Sequence, residues 1–188
     1  MNKRPIGIHG YAIVSDDDRI AGADGLIPPS LRNERDWELY QAALARSDLV
    51  VFARVSHDNE PNTRGDPRLV VSHSARGLER RADAWWWNPA QVDWAEVAAR
   101  LLPDGGEVAA PGGQGVFDLF LKLGYDRFHL ARARGVRLPG GRAIFSECDD
   151  AVSAEAVLTK YGLRLAERIE LDAAQQVEMN IWRRARMG

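Results

Sequence analysis

The chain is 188 residues long, 45% hydrophobic and 28% charged, with a formal net charge of −2. That length supports one domain with a sizeable core, residues 1–188, and leaves little room for a second. Near-neutral charge without a basic stripe excludes an electrostatic nucleic-acid binder. The lone cysteine, Cys148, excludes a disulfide framework and a paired-cysteine metal site, so no metal is expected. No apolar run approaches the roughly 18 residues of a membrane span, which sets the expectation of a cytoplasmic protein without membrane contact.

Ile6 to Ser15 reads as a strand, closed by the acidic turn Asp16-Asp17-Asp18. Gly22 to Tyr40, GADGLIPPSLRNERDWELY, is a loop punctuated by Gly22, Gly25, Pro28 and Pro29 that runs into a helix with Ser30 as N-cap. At about 100° per residue Trp37, Tyr40, Ala43 and Leu44 share one helical face, with Glu34 at its border. Burial there would raise the Glu34 pKa enough to hold or pass a proton near neutrality. The alternative is a solvated Glu34 that complements the helix N-terminus.

Asp48 to Ala53 is an apolar run of the kind buried on both faces of a parallel sheet, followed by Arg54 and Ser56. Asp58 to Pro67 is a loop, and Arg68 to Ser72 is the next strand, ending at His73. Trp85-Trp86-Trp87 on a strand alternates between faces and cannot form one stacking platform, so core and edge packing is expected. Ala90 to Leu102 has helical periodicity.

Glu107 to Phe120, EVAAPGGQGVFDLF, places a strand, the pair Gly112-Gly113, and then a helix carrying Val116, Phe117 and Phe120. Glycines at such a turn let backbone approach a ligand, and the new helix offers free N–H groups to phosphate. Asp126 to Ala133 is a strand, and Arg132, Arg134, Arg137 and Arg142 read as a solvated face. Ala154 to Tyr161 is a helix closed by Gly162, and Leu163 to Leu171 and Val177 to Arg184 are the last strands. This order points to an α/β protein with a largely parallel sheet and its working residues at strand C-termini.

Pro28-Pro29-Ser30-Leu31-Arg32-Asn33-Glu34, with Gly22 before it and Trp37 after it, resembles the active-site loop and first helix of the dihydrofolate reductase superfamily. Gly112-Gly113, followed by Phe117, Asp118 and Phe120, resembles the glycine turn of the same family. Leu138 to Phe145 resembles a Gly-rich segment of the related riboflavin-biosynthesis reductase domains.

The resemblance runs from Tyr11 to Arg184. It implies a three-layer fold: a mostly parallel eight-stranded sheet, an antiparallel C-terminal hairpin and helices on both faces. It further implies an NADPH-dependent oxidoreductase of folate and one-carbon metabolism that reduces dihydrofolate to tetrahydrofolate. Glu34 is then the catalytic acid, and Val14, Ile27, Leu31, Trp37 and Glu38 line the substrate. Ala21, Arg54, Ser56, Ser72, His73, Gly112, Gly113, Gln114, Gly115, Val116 and Phe117 meet the cofactor. Glu38, Ala131 and Asp66 stand where folate enzymes carry an aromatic, a threonine and an arginine, although Arg64 and Arg68 lie close to the last.

Arg64 and the Leu138 to Phe145 segment suit a riboflavin-pathway pyrimidine reductase as the alternative. Ala53, Pro111 and Ala131 suit a member of the fold that binds a nucleotide without catalysis. The expected partner is a small heterocycle, and the expected state is a monomer or homodimer.

Overall fold

The computed structural model describes residues 3–63 and 65–185. In chain order the elements are β1 (Ile6–Val14), β2 (Arg19–Ala21), α1 (Glu34–Arg46), β3 (Leu49–Ala53), α2 (Arg54–Asn59), β4 (Arg68–Val71), β5 (Leu78–Arg80) and β6 (Trp85–Trp87). They continue with α3 (Trp94–Leu101), β7 (Gly106–Gly112), α4 (Gln114–Leu123), β8 (Arg127–Ala133), β9 (Arg142–Ala143), α5 (Ala154–Lys160), β10 (Leu163–Asp172) and β11 (Val177–Arg184). One sheet has the order β10-β11-β8-β1-β7-β3-β4-β6-β5, and β2 and β9 form a separate two-stranded ribbon.

The middle of the sheet is parallel. β1 lies between β7 and β8, and β3 lies between β7 and β4. The edges are antiparallel, with the β10–β11 hairpin on one side and β5 against β6 on the other. The main sheet has nine strands instead of the expected eight, because the three-residue β5 adds an edge opposite the tryptophans. A strand that short carries no readable alternation.

Alternation along the strands sorts the core onto two faces. On one face Val51, Val108 and Phe128 join Val97 of α3, Phe117 and Phe120 of α4, and Val157 and Leu158 of α5. On the other face Val50, Phe52 and Ala109 receive Leu44 of α1. Trp86 and Val70 pack on that second face with Ala75, while Trp87 enters the first. The tryptophans therefore serve two cores, and each fully buried aromatic contributes about 1.5–3 kcal/mol.

Three local expectations are corrected. The long helix begins at Glu34, because the Asn33 side chain accepts from the Asp36 N–H, while Ser30 lies in a short 3-10 turn set up by Pro28 and Pro29. α3 begins at Trp94 because Asp93 caps it, and Asn88 holds the preceding residues in a turn. Arg132 is not on a solvated face. It is 4% exposed, and it donates to Asp18 at 2.6 Å, Glu155 at 2.6 Å and the Ser15 carbonyl at 2.7 Å. That network joins the acidic turn, β8 and the start of α5, where the Ala154 N–H also meets Asp18.

Candidate functional site

Strand register decides which residues meet at the carboxyl edge of the sheet. Phe52 lies opposite Gly112, and Ala53 lies opposite Val71. Arg54, Ser72 and Gly113 therefore leave neighbouring strands side by side, about 5 Å from one ladder to the next. An open α/β sheet takes its ligands in this crevice.

The glycine turn is shaped by packing on one side and open on the other. Gly112 has φ 111°, and a Cβ there would lie 2.6 Å from the Phe117 ring, so only glycine fits. A Cβ on Gly115 would meet nothing within 4 Å, and one on Gly113 would come no closer than 3.9 Å, to the Ser56 hydroxyl. The first-turn N–H groups of α4, those of Gln114 and Gly115, have no intrahelical partner, as at any helix start. Open backbone, free donors and the positive end of a helix dipole together suit a phosphate or diphosphate.

The remaining residues expected to meet the cofactor occupy different environments. Arg54 is exposed and paired with Asp58 at 3.3 Å. The buried Ser72 hydroxyl lies 2.8 Å from that of Ser74, and His73 is exposed, with its carbonyl held by Asn88 at 3.1 Å. Ala21 is buried at the end of β2, and the Gln114 amide donates to the Ala143 carbonyl at 3.0 Å. Val116 and Phe117 are core residues with essentially no exposure, so only their backbone is available to a ligand and their side chains are withdrawn from the cofactor set.

The substrate set also divides. Val14 and Leu31 are core side chains, Leu31 packing with Ala133 and Val177. Ile27 and Trp37 are each 52% exposed, and Glu38 is exposed and bonded to Arg35 at 2.8 Å. The helical face expected to carry Trp37 into the core turns inward only from Tyr40 onward, since Ala43 is the buried residue of α1.

Glu34 is exposed, so the expectation of a buried acid at that position is corrected. The acid that burial perturbs is Asp36, two residues later, whose carboxyl is pushed up to about 6 by desolvation. Asn33 caps α1 on the Asp36 N–H, and Asp36 lies one helical turn before Tyr40, which stacks on Trp37 at 5.2 Å. Burial raises the Tyr40 phenol further, and the charges of Glu60, Arg68 and Asp36 all reach it.

Arg68 is 8% exposed and lies over the Phe52 ring at 4.5 Å, and it donates to the Glu60 carbonyl and to His57 Nδ1. An arginine only donates, so His57 Nδ1 is the acceptor, and its Nε2 lies 3.0 Å from an Asp83 carboxylate oxygen. Among the described residues the Arg68 Nε is buried without a hydrogen-bond partner. Tyr40 thus lies within reach of the charges of Glu60, Arg68 and Asp36, between α1 and the segment after α2. Of these, the sequence singled out only Tyr40, as a face residue, and Arg68, as a clamp. Arg64 lies outside the described residues.

A second polar cluster lies on the same sheet face. His129 stacks on Tyr11 at 4.6 Å and is held down to about 4 by burial, with His9, Arg127 and Arg183 adding to the effect. His9 reaches Glu107 at 3.2 Å, and burial lowers its pKa as well.

Sheet order, the covering of both faces and the glycine turn define a three-layer α/β protein with that turn at the carboxyl edge of its sheet. More particularly, the chain has a dihydrofolate reductase-like fold. It matches a candidate riboflavin biosynthesis protein from Shewanella sp. PV-4 with TM-score 0.66 and 16% identity, over 96% of this chain and 100% of that one. It matches dihydrofolate reductase from Enterococcus faecalis, complexed with NADP(H) and RAB-propyl, with TM-score 0.65 and 12% identity, over 95% and 96% of the two chains.

A third match is a diaminohydroxyphosphoribosylaminopyrimidine deaminase/5-amino-6-(5-phosphoribosylamino)uracil reductase from Thermotoga maritima, with TM-score 0.64 and 15% identity. There 97% of this chain spans 57% of the longer one. No protein family and no curated protein matches the sequence. Among the described residues no helix is long and apolar enough to cross a membrane.

Proposed function

We propose that the chain is a reductase that uses a nicotinamide dinucleotide, NADPH by preference, to reduce a nitrogen heterocycle. The observation that carries this reading is the open glycine turn at the carboxyl edge of the sheet, where Gly112-Gly113 leads into the free first-turn N–H groups of α4. The candidate acid is Asp36 in the first turn of α1, whose carboxyl burial pushes up to about 6. A group poised there is protonated in part near neutrality and can hold a proton at the ring nitrogen of a bound heterocycle, which makes the adjacent carbon more electrophilic. The role first assigned to Glu34 passes to Asp36.

When bound, the dinucleotide supplies the hydride. The protein's part is to hold it: Gln114 and Gly115 N–H groups toward the diphosphate, with Arg54, Ser56 and His73 toward the adenosine phosphate that distinguishes NADPH from NADH. Ile27 and Leu26, exposed on the glycine- and proline-marked loop, cover the crevice and exclude water when a ligand is present.

Dihydrofolate is the first substrate to try. The buried Arg68, with its unpartnered Nε beside Tyr40 and Glu60, favours a second reading, a pyrimidine reductase of the riboflavin type whose anionic substituent meets that guanidinium. The test is loss of reduced-nicotinamide absorbance with dihydrofolate or an aminopyrimidine substrate, alongside direct NADPH titration. Turnover with either substrate names it. Absence of NADPH binding at millimolar concentration refutes the reductase proposal, and a cytoplasmic, folate-linked role falls with it.

A further inference from the structure

The second face of the sheet is covered by α1 only in part. Leu44 packs there with Val50, Phe52 and Ala109, and Asn33, at the other end of the helix, donates to Asp172 and Gln175 of the hairpin. Nearer the amino ends of β1 and β8, Tyr11 and His129 stack half-buried, with His9 and Ile181 beside them. Exposed charges flank this centre, Glu107 on β7 and Arg127 and Arg183 on β8 and β11. We propose that this strip is the interface between two copies of the chain, with Glu107 of each copy set against Arg183 of the other.

Charge and register fit a two-fold pairing. The strand order β11-β8-β1-β7 puts the acid at one side of the strip and the arginines toward the other. A two-fold axis along the strands, between β8 and β1, reverses that order in the second copy. β7 of one copy then lies over β11 of the other, and β1 over β8, so Glu107 meets Arg183 and Tyr11 meets His129 twice in one interface. Among the described residues Arg127 and Arg183 have no ion-pair partner, and Glu107 reaches only His9, at 3.2 Å, with its carboxylate side chain 53% exposed. Opposite charges on the two sides of one face make that face complementary to itself.

The centre can be covered without taking a charge out of water. Burial holds His129 down to about 4 and lowers His9 as well, while it raises the Tyr11 phenol, so all three rings are neutral at pH 7. An uncharged aromatic centre with a charged rim is the composition of a specific interface. Two sheets pack face to face about 10 Å apart, a gap that side chains from both copies fill. The glycine turn stays free in each copy, since it lies at the carboxyl edge and these residues lie toward the amino ends of β1, β7 and β8.

The inference goes beyond hydride transfer, and its test has no reductase readout. Sedimentation equilibrium of the wild type, from about 1 to about 100 µM, is compared with that of Glu107→Arg, Arg183→Glu and the chain carrying both changes. The expected result is a wild-type dimer, self-association weakened about tenfold or more by each single reversal, and recovery in the double variant, where the pair returns with its signs exchanged. An equimolar mixture of the two single variants recovers as well, because each copy then supplies the charge that the other lacks.

Both positions are exposed, so the variants fold, which thermal melting verifies. A wild type that is monomeric at the highest concentration overturns the proposal. So does a dimer indifferent to both reversals, which would be held by another surface, and so does a dimer weakened by each reversal and not recovered when the two are combined.

Discussion

Replacing Asp36 with Asn removes an ionisation that burial opposes. The folded chain titrates this carboxyl at about 6, against an ordinary value of 3.8, so between those values it holds a proton that the unfolded chain has released. Stability from this group therefore falls as pH rises from about 4 to about 6 and is level above. Roughly two units of displacement correspond to about 3 kcal/mol at 1.36 kcal/mol per unit. Asp36 lies in the first turn of α1, where the helix dipole returns about 0.5–1 kcal/mol to the charged form, so the net is about 2 kcal/mol.

Asp36→Asn is then more stable than the wild type by about 2 kcal/mol above neutrality, or about 4–8 °C in Tm for a chain of this size, and equally stable near pH 4. Urea unfolding of both proteins across this range is the assay, and the difference curve is the readout. That difference matters because His129 has the opposite slope. Held down to about 4, it contributes stability that is present above about 6.5 and lost as pH falls toward 4, so the two groups offset each other in the wild type. A difference that does not change with pH, or an Asp36→Asn protein less stable above neutrality, refutes the reasoning. If Asp36 also assists the proposed reaction, the stabilised variant loses about 100-fold or more in turnover while keeping its NADPH affinity.

His129→Phe keeps an aromatic ring on Tyr11 but cannot be protonated, so added to Asp36→Asn it should remove the loss of Tm that His129 causes below about pH 6.5. An undiminished acid limb relative to Asp36→Asn backgrounds would place the titration elsewhere. Arg132→Met leaves Asp18 buried without its countercharge and is expected to cost about 3–5 kcal/mol in denaturant unfolding. Gly112→Ala combines a strained φ with a clash on Phe117 and should destabilise by about 2 kcal/mol or more, with Phe117→Leu in the same chain recovering part of the loss. Recovery of none would mean that strain and not contact dominates.

The strands that were legible in the sequence are those whose burial is two-sided or whose ends carry punctuation. LVVFA of β3 and the strand before Gly112-Gly113 announce themselves, because a parallel central strand needs an apolar run and a glycine to let the next helix turn back. Burial perturbs Asp36 and leaves Glu34 exposed for a local reason. Two prolines and a serine suggest a helix start at Ser30, yet the prolines favour a tight 3-10 turn and Asn33 makes the cap. The pattern Asn-x-x-Asp ahead of Trp37 and Tyr40 was the available signal. Arg132 could not be read as buried from composition, since only the fold brings Asp18 and Glu155 to it from distant segments.

The first strand of the chain is also the middle of the sheet. β1 finds its neighbours in β7 and β8, about 100 residues or more further along, so a nascent chain must carry β1 without either partner until those strands have emerged. Loops of that span slow the search for the native pairing. Until β7 and β8 arrive, the Ile6–Val14 edges are open to pairing with other chains. A ribosome stalled ahead of β7 would therefore hold an aggregation-prone segment and not a smaller version of the fold, and the sheet around β1 would be assembled only once both β7 and β8 have been made.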